Sequence, residues 1–329
     1  VQVFDRVAQI LSNNRNAGIG VVGNAMYGNI NGTLKVLAEV GIGTVYYVDT
    51  NNGSDLDDGK SWANAFETMD KAFDTITAGD TIRFRGNVTE HLTTPLGAPN
   101  VTVIGDTTRP RHADTHPLNG ELSGATWKSG GTNSPLCIVR TPGWRFLNIL
   151  FAAHASNYAL RLDRTAVEDA TEEDASHLEV LGCRFASGAG GISDTGGCYN
   201  VAIEGCIFEA LTTACILGVG NIGVGQSLWS IRNNHFNGFT NGVKIAAFGC
   251  RIEGNTFTDG GTPTSTYVLN VSNGATAGNN FVVDNFFQTA TANFATPDVV
   301  GNATDVWWNV SIDAAAAGVS SGHEVGQPA

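Results

Sequence analysis

Residues 201–208 read VAIEGCIF, and the same eight-residue phrase is rewritten five more times around them. It stands as WRFLNILF at 144–151, LEVLGCRF at 178–185, WSIRNNHF at 229–236, CRIEGNTF at 250–257 and NFVVDNFF at 280–287. The closing phenylalanines are separated by 34, 23, 28, 21 and 30 residues. Strand-sized units recurring every 20 to 35 residues or so, with slack between them, mark a solenoid in which each unit buries its apolar side only against its neighbours.

Positions one and three of the phrase are mostly apolar and positions two and four more often polar, the period of two of a half-buried strand. Position five is Asn148, Gly182, Gly205, Asn233, Gly254 and Asp284. These residue types tolerate left-handed backbone angles, so a sharp bend is expected there. Position six is Ile149, Cys183, Cys206, Asn234, Asn255 and Asn285, which in register would stack as a small ladder. A second apolar run follows several phrases, at 158–162, 215–219, 242–246 and 267–271. Each repeat therefore reads as one coil of two or three short strands.

Nothing within the repeats has helical spacing long enough to cross between parallel strands, so each strand must stack on its counterpart in the next coil. The expected fold is all-β, a single-stranded parallel β-helix. The coils resemble right-handed parallel β-helix proteins of the pectate-lyase-like and phage-tailspike type. Residues 46–85, YYVDTNNGSDLDDGKSWANAFETMDKAFDTITAGDTIRFR, are similar to the first coil of many of these proteins: a strand, a Gly-Ser-Asp turn, a capping helix and a Gly-Asp-Thr-Ile strand. Right-handedness follows from that resemblance and from the chirality of parallel crossovers. The likeness covers about residues 46–312 and bears on fold; the fold hosts unrelated activities.

Three regions are expected: an N-terminal arm or cap at 1–45, the β-helix at 46–312 and a tail at 313–329. In the arm, Val3, Phe4, Val7, Ile10 and Leu11 share a helical face, and Leu34, Leu37 and Ala38 suggest a second short helix. The glycine- and asparagine-rich stretch between them reads as a loop. Residues 62–76, with Trp62, Phe66, Met69, Phe73 and Ile76 at helical spacing, already suffice as a cap. A further apolar arm, presenting Phe4, Val7, Ile10 and Leu11, then favours attachment to a larger assembly.

The chain of 329 residues has a net charge of −13 from 18 Lys and Arg against 31 Asp and Glu. No basic stripe appears, so nucleic acid is disfavoured and not expected as a partner. No apolar run reaches 18 residues, so no membrane insertion is expected, and no signal peptide is legible. The six cysteines include no CxxC pair, which disfavours zinc. Cys183 and Cys206 share a position in adjacent coils, where a disulfide is conceivable, and small buried thiols are the plainer reading.

Catalytic candidates are few. Glu204 and Glu253 fall in one outward column, two coils apart, roughly 9 to 10 Å by strand spacing and near the upper limit for an inverting glycosidase pair. Arg232 lies between them, and a neighbouring cation holds carboxylates ionised, where a general acid needs a raised pKa. The column of Leu181, Glu204, Arg232, Glu253 and Val283 reads as a cross-strand charge ladder. His112, Asp114 and His116 sit in RPRHADTHP, a loop that offers metal ligands or an acid–base pair. Asp55, Asp57 and Asp58 in the first turn are calcium candidates, and no other cofactor is implied. Trp307 and Trp308 are candidates for stacking on a sugar, since adjacent residues of a strand cannot both face inward.

A parallel solenoid must also protect its last coil, either with its own tail or with neighbouring copies, and a homotrimer is expected on that ground. Together these features point to a virion surface protein of a bacterial virus, tailspike-like or capsid-decorating. Its partners would be capsid or tail proteins and host surface polysaccharide. The alternative is a polysaccharide-degrading lyase or glycoside hydrolase on the same scaffold, secreted or carried on the particle.

Overall fold

In the computed structural model the phrase forms two strands joined by a corner, and successive phrases lie directly on one another. The structure describes residues 19–22, 25–30, 33–39, 43–106, 125–164, 173–218, 226–258, 267–271, 278–289, 299–300, 305–313 and 322–325. Positions two to four build sheet A, through Arg145–Leu147, Glu179–Leu181, Ala202–Glu204, Ser230–Arg232 and Arg251–Glu253. Beyond the corner, sheet B runs through Leu150–Ala152, Arg184–Ala186, Ile207–Leu211, His235–Phe239 and Thr256–Thr258. Phe281–Thr289 spans both sheets. The second apolar runs form sheet C, which includes Cys137–Val139, Tyr158–Leu162, Gly190–Asp194, Ala214–Gly218, Asn241–Lys244 and Tyr267–Asn270. All coil-to-coil pairings in the three sheets are parallel, and the fold is a parallel β-helix.

The corner is left-handed at every position-five residue: φ is 56° at Asn148, 61° at Gly182, 64° at Gly205, 56° at Asn233, 64° at Gly254 and 55° at Asp284. A second left-handed column stands immediately before position one, at Asn100, Gly143, His177, Asn200, Leu228, Gly249 and Asn279. Its side chains are chemically mixed, which hides it in the sequence.

Position six is the ladder. Cys183 and Cys206 donate through Sγ to the carbonyls of Phe146 and Val180 in the preceding coil, each at 3.4 Å. Asn234, Asn255, Asn285 and Asn309 make the same bond through Nδ2 to Ile203, Ile231, Ile252 and Val282, at 2.9 to 3.0 Å. Each asparagine Oδ1 also accepts the backbone N–H of the ladder residue one coil earlier, from Cys206 to Asn285. Thiol and amide share this column because both donate to the position-three carbonyl. All six cysteines are free and buried, and burial pushes the Cys183 thiol well up, so the pair serves as ladder steps and not as a disulfide.

The closing phenylalanines stack along the inside of sheet B. From Phe151 through Phe185, Phe208, Phe236 and Phe257 to Phe287 the ring centroids are 4.6 to 5.1 Å apart and the planes within 15° of parallel. Aromatic pairs left to themselves favour offset or edge-on contacts. Here the strand spacing of about 4.8 Å imposes the stack. Trp127, Trp144 and Trp229 are fully buried in the core.

Each end is covered in part by the chain itself. Residues 51–68 fold along the free edge of the first strand, Val45–Asp49, through Tyr47 N–H to Gly59 O, Asp49 N–H to Phe66 O and Phe66 N–H to Tyr47 O. Helix α1, Met69–Thr75, then buries Met69, Ala72 and Phe73, with the Phe73 ring 5.2 Å from that of Trp144. The Gly-Asp-Thr-Ile phrase is explained by Asp80, whose buried carboxylate accepts Thr44 N–H, Thr77 N–H and the Thr77 hydroxyl. At the far end Gly322–Val325 pairs antiparallel with the last sheet strand, Val306–Asp313. The tail therefore covers residues 309–312 of the edge from which a trimer was expected.

One expectation fails. Leu34, Leu37 and Ala38 lie on a strand, Thr33–Glu39, in an antiparallel three-stranded sheet with Ile19–Val22 and Ala25–Ile30. The helix expected there and the loop expected before it are both replaced by strands. The missed signal is the pair of dipeptides between them, Gly23-Asn24 and Asn31-Gly32, which two-residue hairpin connections favour. Phe4, Val7, Ile10 and Leu11 lie outside the described residues.

Two predictions test this account. Asn255→Ala removes the acceptor of Asn234 N–H and one of the donors to the Ile231 carbonyl, and should lower unfolding free energy by about 2 kcal/mol in chemical denaturation. Leu228 holds φ 57° with its side chain 59% exposed. Leu228→Asn relieves the left-handed strain and should raise stability by about 0.5–1 kcal/mol in the same assay.

Candidate functional site

The outer face of sheet A carries two columns of side chains, from positions two and four. Position four places Leu181, Glu204, Arg232, Glu253 and Val283 in continuous register, as the sequence predicts, and continues to Trp308. Position two runs Arg145, Glu179, Ala202, Ser230, Arg251, Phe281 and Val306.

The charges on this face are paired. Arg145 bonds Glu179 at 2.9 Å, Arg232 reaches Glu204 at 3.3 Å, and Arg251 holds Glu253 with two bonds of 2.6 and 3.1 Å. The Arg251 bonds keep the Glu253 carboxyl below its ordinary range, with Arg232 adding to the effect and slight burial opposing it. A carboxylate held ionised accepts protons poorly and cannot donate one near neutral pH. Glu204, Arg232 and Glu253 thus form an ion-pair ladder.

The titratable group that sequence reasoning missed is Glu90. Its carboxyl is pushed up to about 7 by burial, against the Met69 N–H that it accepts and with the nearby Asp70 and Asp55 charges adding to the rise. Glu90 stands alone between two apparently unremarkable residues in VTEHL, and no spacing betrays it. Asp55 accepts Glu67 N–H, Thr68 N–H and the Thr68 hydroxyl, and Asp58 accepts Lys60 N–H. These bonds hold the loop that caps the first strand. Among the described residues no group of three or more His, Cys, Asp or Glu side chains is arranged to hold a metal ion, and the Asp55, Asp57 and Asp58 carboxylates do not converge into one.

His112, Asp114 and His116 lie outside the described residues, as does the side chain of Trp307. Trp308 is 61% exposed on the outer face. It lies among an uneven distribution: of seven exposed large apolar side chains among the described residues, Leu228, Phe248, Phe281, Val306 and Trp308 belong to the last coils. Phe281, Val306 and Trp308 prolong the charged columns into an apolar end.

No family model matches the chain, and no curated protein matches it. Solved structures do. The chain is similar to pectate lyase Pel9A at 14% identity and TM-score 0.45, covering 83% of this chain and 76% of that one. A rhamnogalacturonan lyase is similar at 13% identity and TM-score 0.44, over 76% and 71% of the two chains. ORF18 of Geobacillus virus E2 is similar at 10% identity and TM-score 0.32, over 94% and 72%.

Glu90 gives a pH test. Its folded pKa lies above the ordinary carboxyl value of 4.5, so between about 4.5 and 7 the folded chain holds a proton that the unfolded chain releases. Its contribution to stability therefore falls as pH rises through that window. Glu90→Gln retains an acceptor for Met69 N–H and stays neutral, so the loss in melting temperature from about pH 5 to about pH 8 should be smaller than in the parent chain.

Proposed function

We propose that this chain is an adhesive structural protein of a bacterial-virus particle, tailspike-like or capsid-decorating, in which the β-helix is a rigid rod held by its N-terminal region. The observation that carries this reading is the self-sufficient first coil. Residues 51–68 pair with the first strand and α1 plugs the core beneath it. The preceding antiparallel sheet is therefore surplus to capping, which fits a docking role against capsid or tail proteins. The paired carboxylates of sheet A also fit a surface that binds without reacting. Host polysaccharide is the ligand class that the inter-coil loops would meet.

Immunogold electron microscopy with antibodies against the chain tests the reading. Labelled particles support it; label confined to secreted soluble protein would overturn it.

A polysaccharide-degrading enzyme is the second reading, favoured by Glu90, whose pKa suits a general acid near neutral pH. One of its oxygens is committed to the helix terminus. Under the structural reading, purified protein releases no reducing ends or unsaturated products from bacterial polysaccharides. Cleavage abolished by Glu90→Gln would establish the enzyme, whereas cleavage abolished by Glu204→Gln or Glu253→Gln would return the site to sheet A.

A further inference from the structure

The outer face of sheet A is two residues wide, and the two residues at each level complement one another. Near the C-terminal end the levels are Val306 with Trp308 and Phe281 with Val283, all apolar, with Val283 buried and the other three exposed. Next comes Arg251 with Glu253, opposite in charge. Below it, Ser230 stands beside Arg232 and Ala202 beside Glu204, a small side chain next to a long one.

Consider two copies placed face to face about a two-fold axis parallel to the solenoid. Each coil stays level with its equivalent and strand direction reverses, so position two of one copy meets position four of the other. The exposed Val306 and Trp308 then meet across the axis, and Phe281 lies over the level of the partner's Val283. Arg251 meets the partner's Glu253, and Arg232 and Glu204 extend over the partner's Ser230 and Ala202. No like charges are opposed at any of these levels.

We infer that this strip is the interface of a parallel two-fold homodimer, with Trp308 and Phe281 as its apolar anchors. Phe281, Val306 and Trp308, 41%, 52% and 61% exposed, are neighbours in register and form one apolar patch, the kind of surface that marks an interaction site. The face is a flat pair of columns and not a cleft, so it does not enclose a small ligand. Its charges are already neutralised in pairs, so it offers no field to a charged polymer. A second copy covers the exposed apolar levels and sets an opposite charge across from each member of the Arg251–Glu253 pair. The dimer uses the sheet face, leaving the strand edges to the chain's own caps, and does not depend on association with a virus particle.

Sedimentation velocity of the full chain over a range of loading concentrations tests the assignment. A dimer is expected. Trp308→Lys and Arg251→Glu should each weaken it by about tenfold or more in Kd. The double change R251E/E253R restores opposite charges across the axis and should recover most of the affinity lost by R251E alone. Trp308 and Arg251 are exposed and Glu253 is half-buried, and circular dichroism melts check that each variant folds. A monomer or a trimer for the parent chain, a dimer indifferent to Trp308→Lys, or no recovery in the double variant overturns the proposal. A monomer whose tryptophan fluorescence responds to a neutral oligosaccharide, and loses the response with Trp308→Lys, overturns it too and gives the strip to a glycan.

Discussion

Every feature of this chain depends on keeping successive coils in register at one strand spacing. Main-chain pairing alone does not choose a register, because a parallel strand can slip by two residues and still satisfy its N–H and C=O groups. The position-six ladder removes that freedom. Each Asn Oδ1 accepts a backbone N–H from the coil before it, and each Asn Nδ2 or Cys Sγ donates to that coil's position-three carbonyl. These groups are buried, so a slip would strand several unpaired donors and acceptors at once. With register fixed, the phenylalanine column and the two outer columns of sheet A follow.

Much of this was legible because the repeat exposes its own geometry. Asn, Gly and Asp alternating at position five can share only one property, tolerance of positive φ, and all six corners have it. The outer column of Glu204, Arg232 and Glu253 was legible for the same reason, since fixing one strand's register fixes the column. The second corner was not, because His177 and Leu228 are poor witnesses to a left-handed backbone. The N-terminal sheet was missed because Leu34, Leu37 and Ala38 satisfy a helical spacing, and only the two-residue turn dipeptides distinguish a hairpin.

The site was less legible than the fold. Burial around Glu90 comes from α1 and the loop near Asp55, both assembled from distant segments, and local sequence carries no trace of it. The exposed apolar end of sheet A was half visible, as the Trp307-Trp308 pair. Its extent became clear only when Phe281 and Val306 fell in register beside it. Charge compensation in the same face is a pairwise property, invisible to net charge.

The coil that ends the ladder differs from the others. Between Phe281–Thr289 and Val306–Asp313 the register shifts after Val283, so the corner residue Asp284 has no counterpart in the final coil. Hydrogen bonds in a parallel solenoid run along its axis, so a pull from tip to base loads every bond of one coil-to-coil interface together. The strength of the rod under tension is then that of its weakest interface. The missing corner leaves the Asn285–Asn309 step bonded, whereas Ile149 offers no such bond to the coil before it, so the seam at residues 144–151 is the one that lacks a rung.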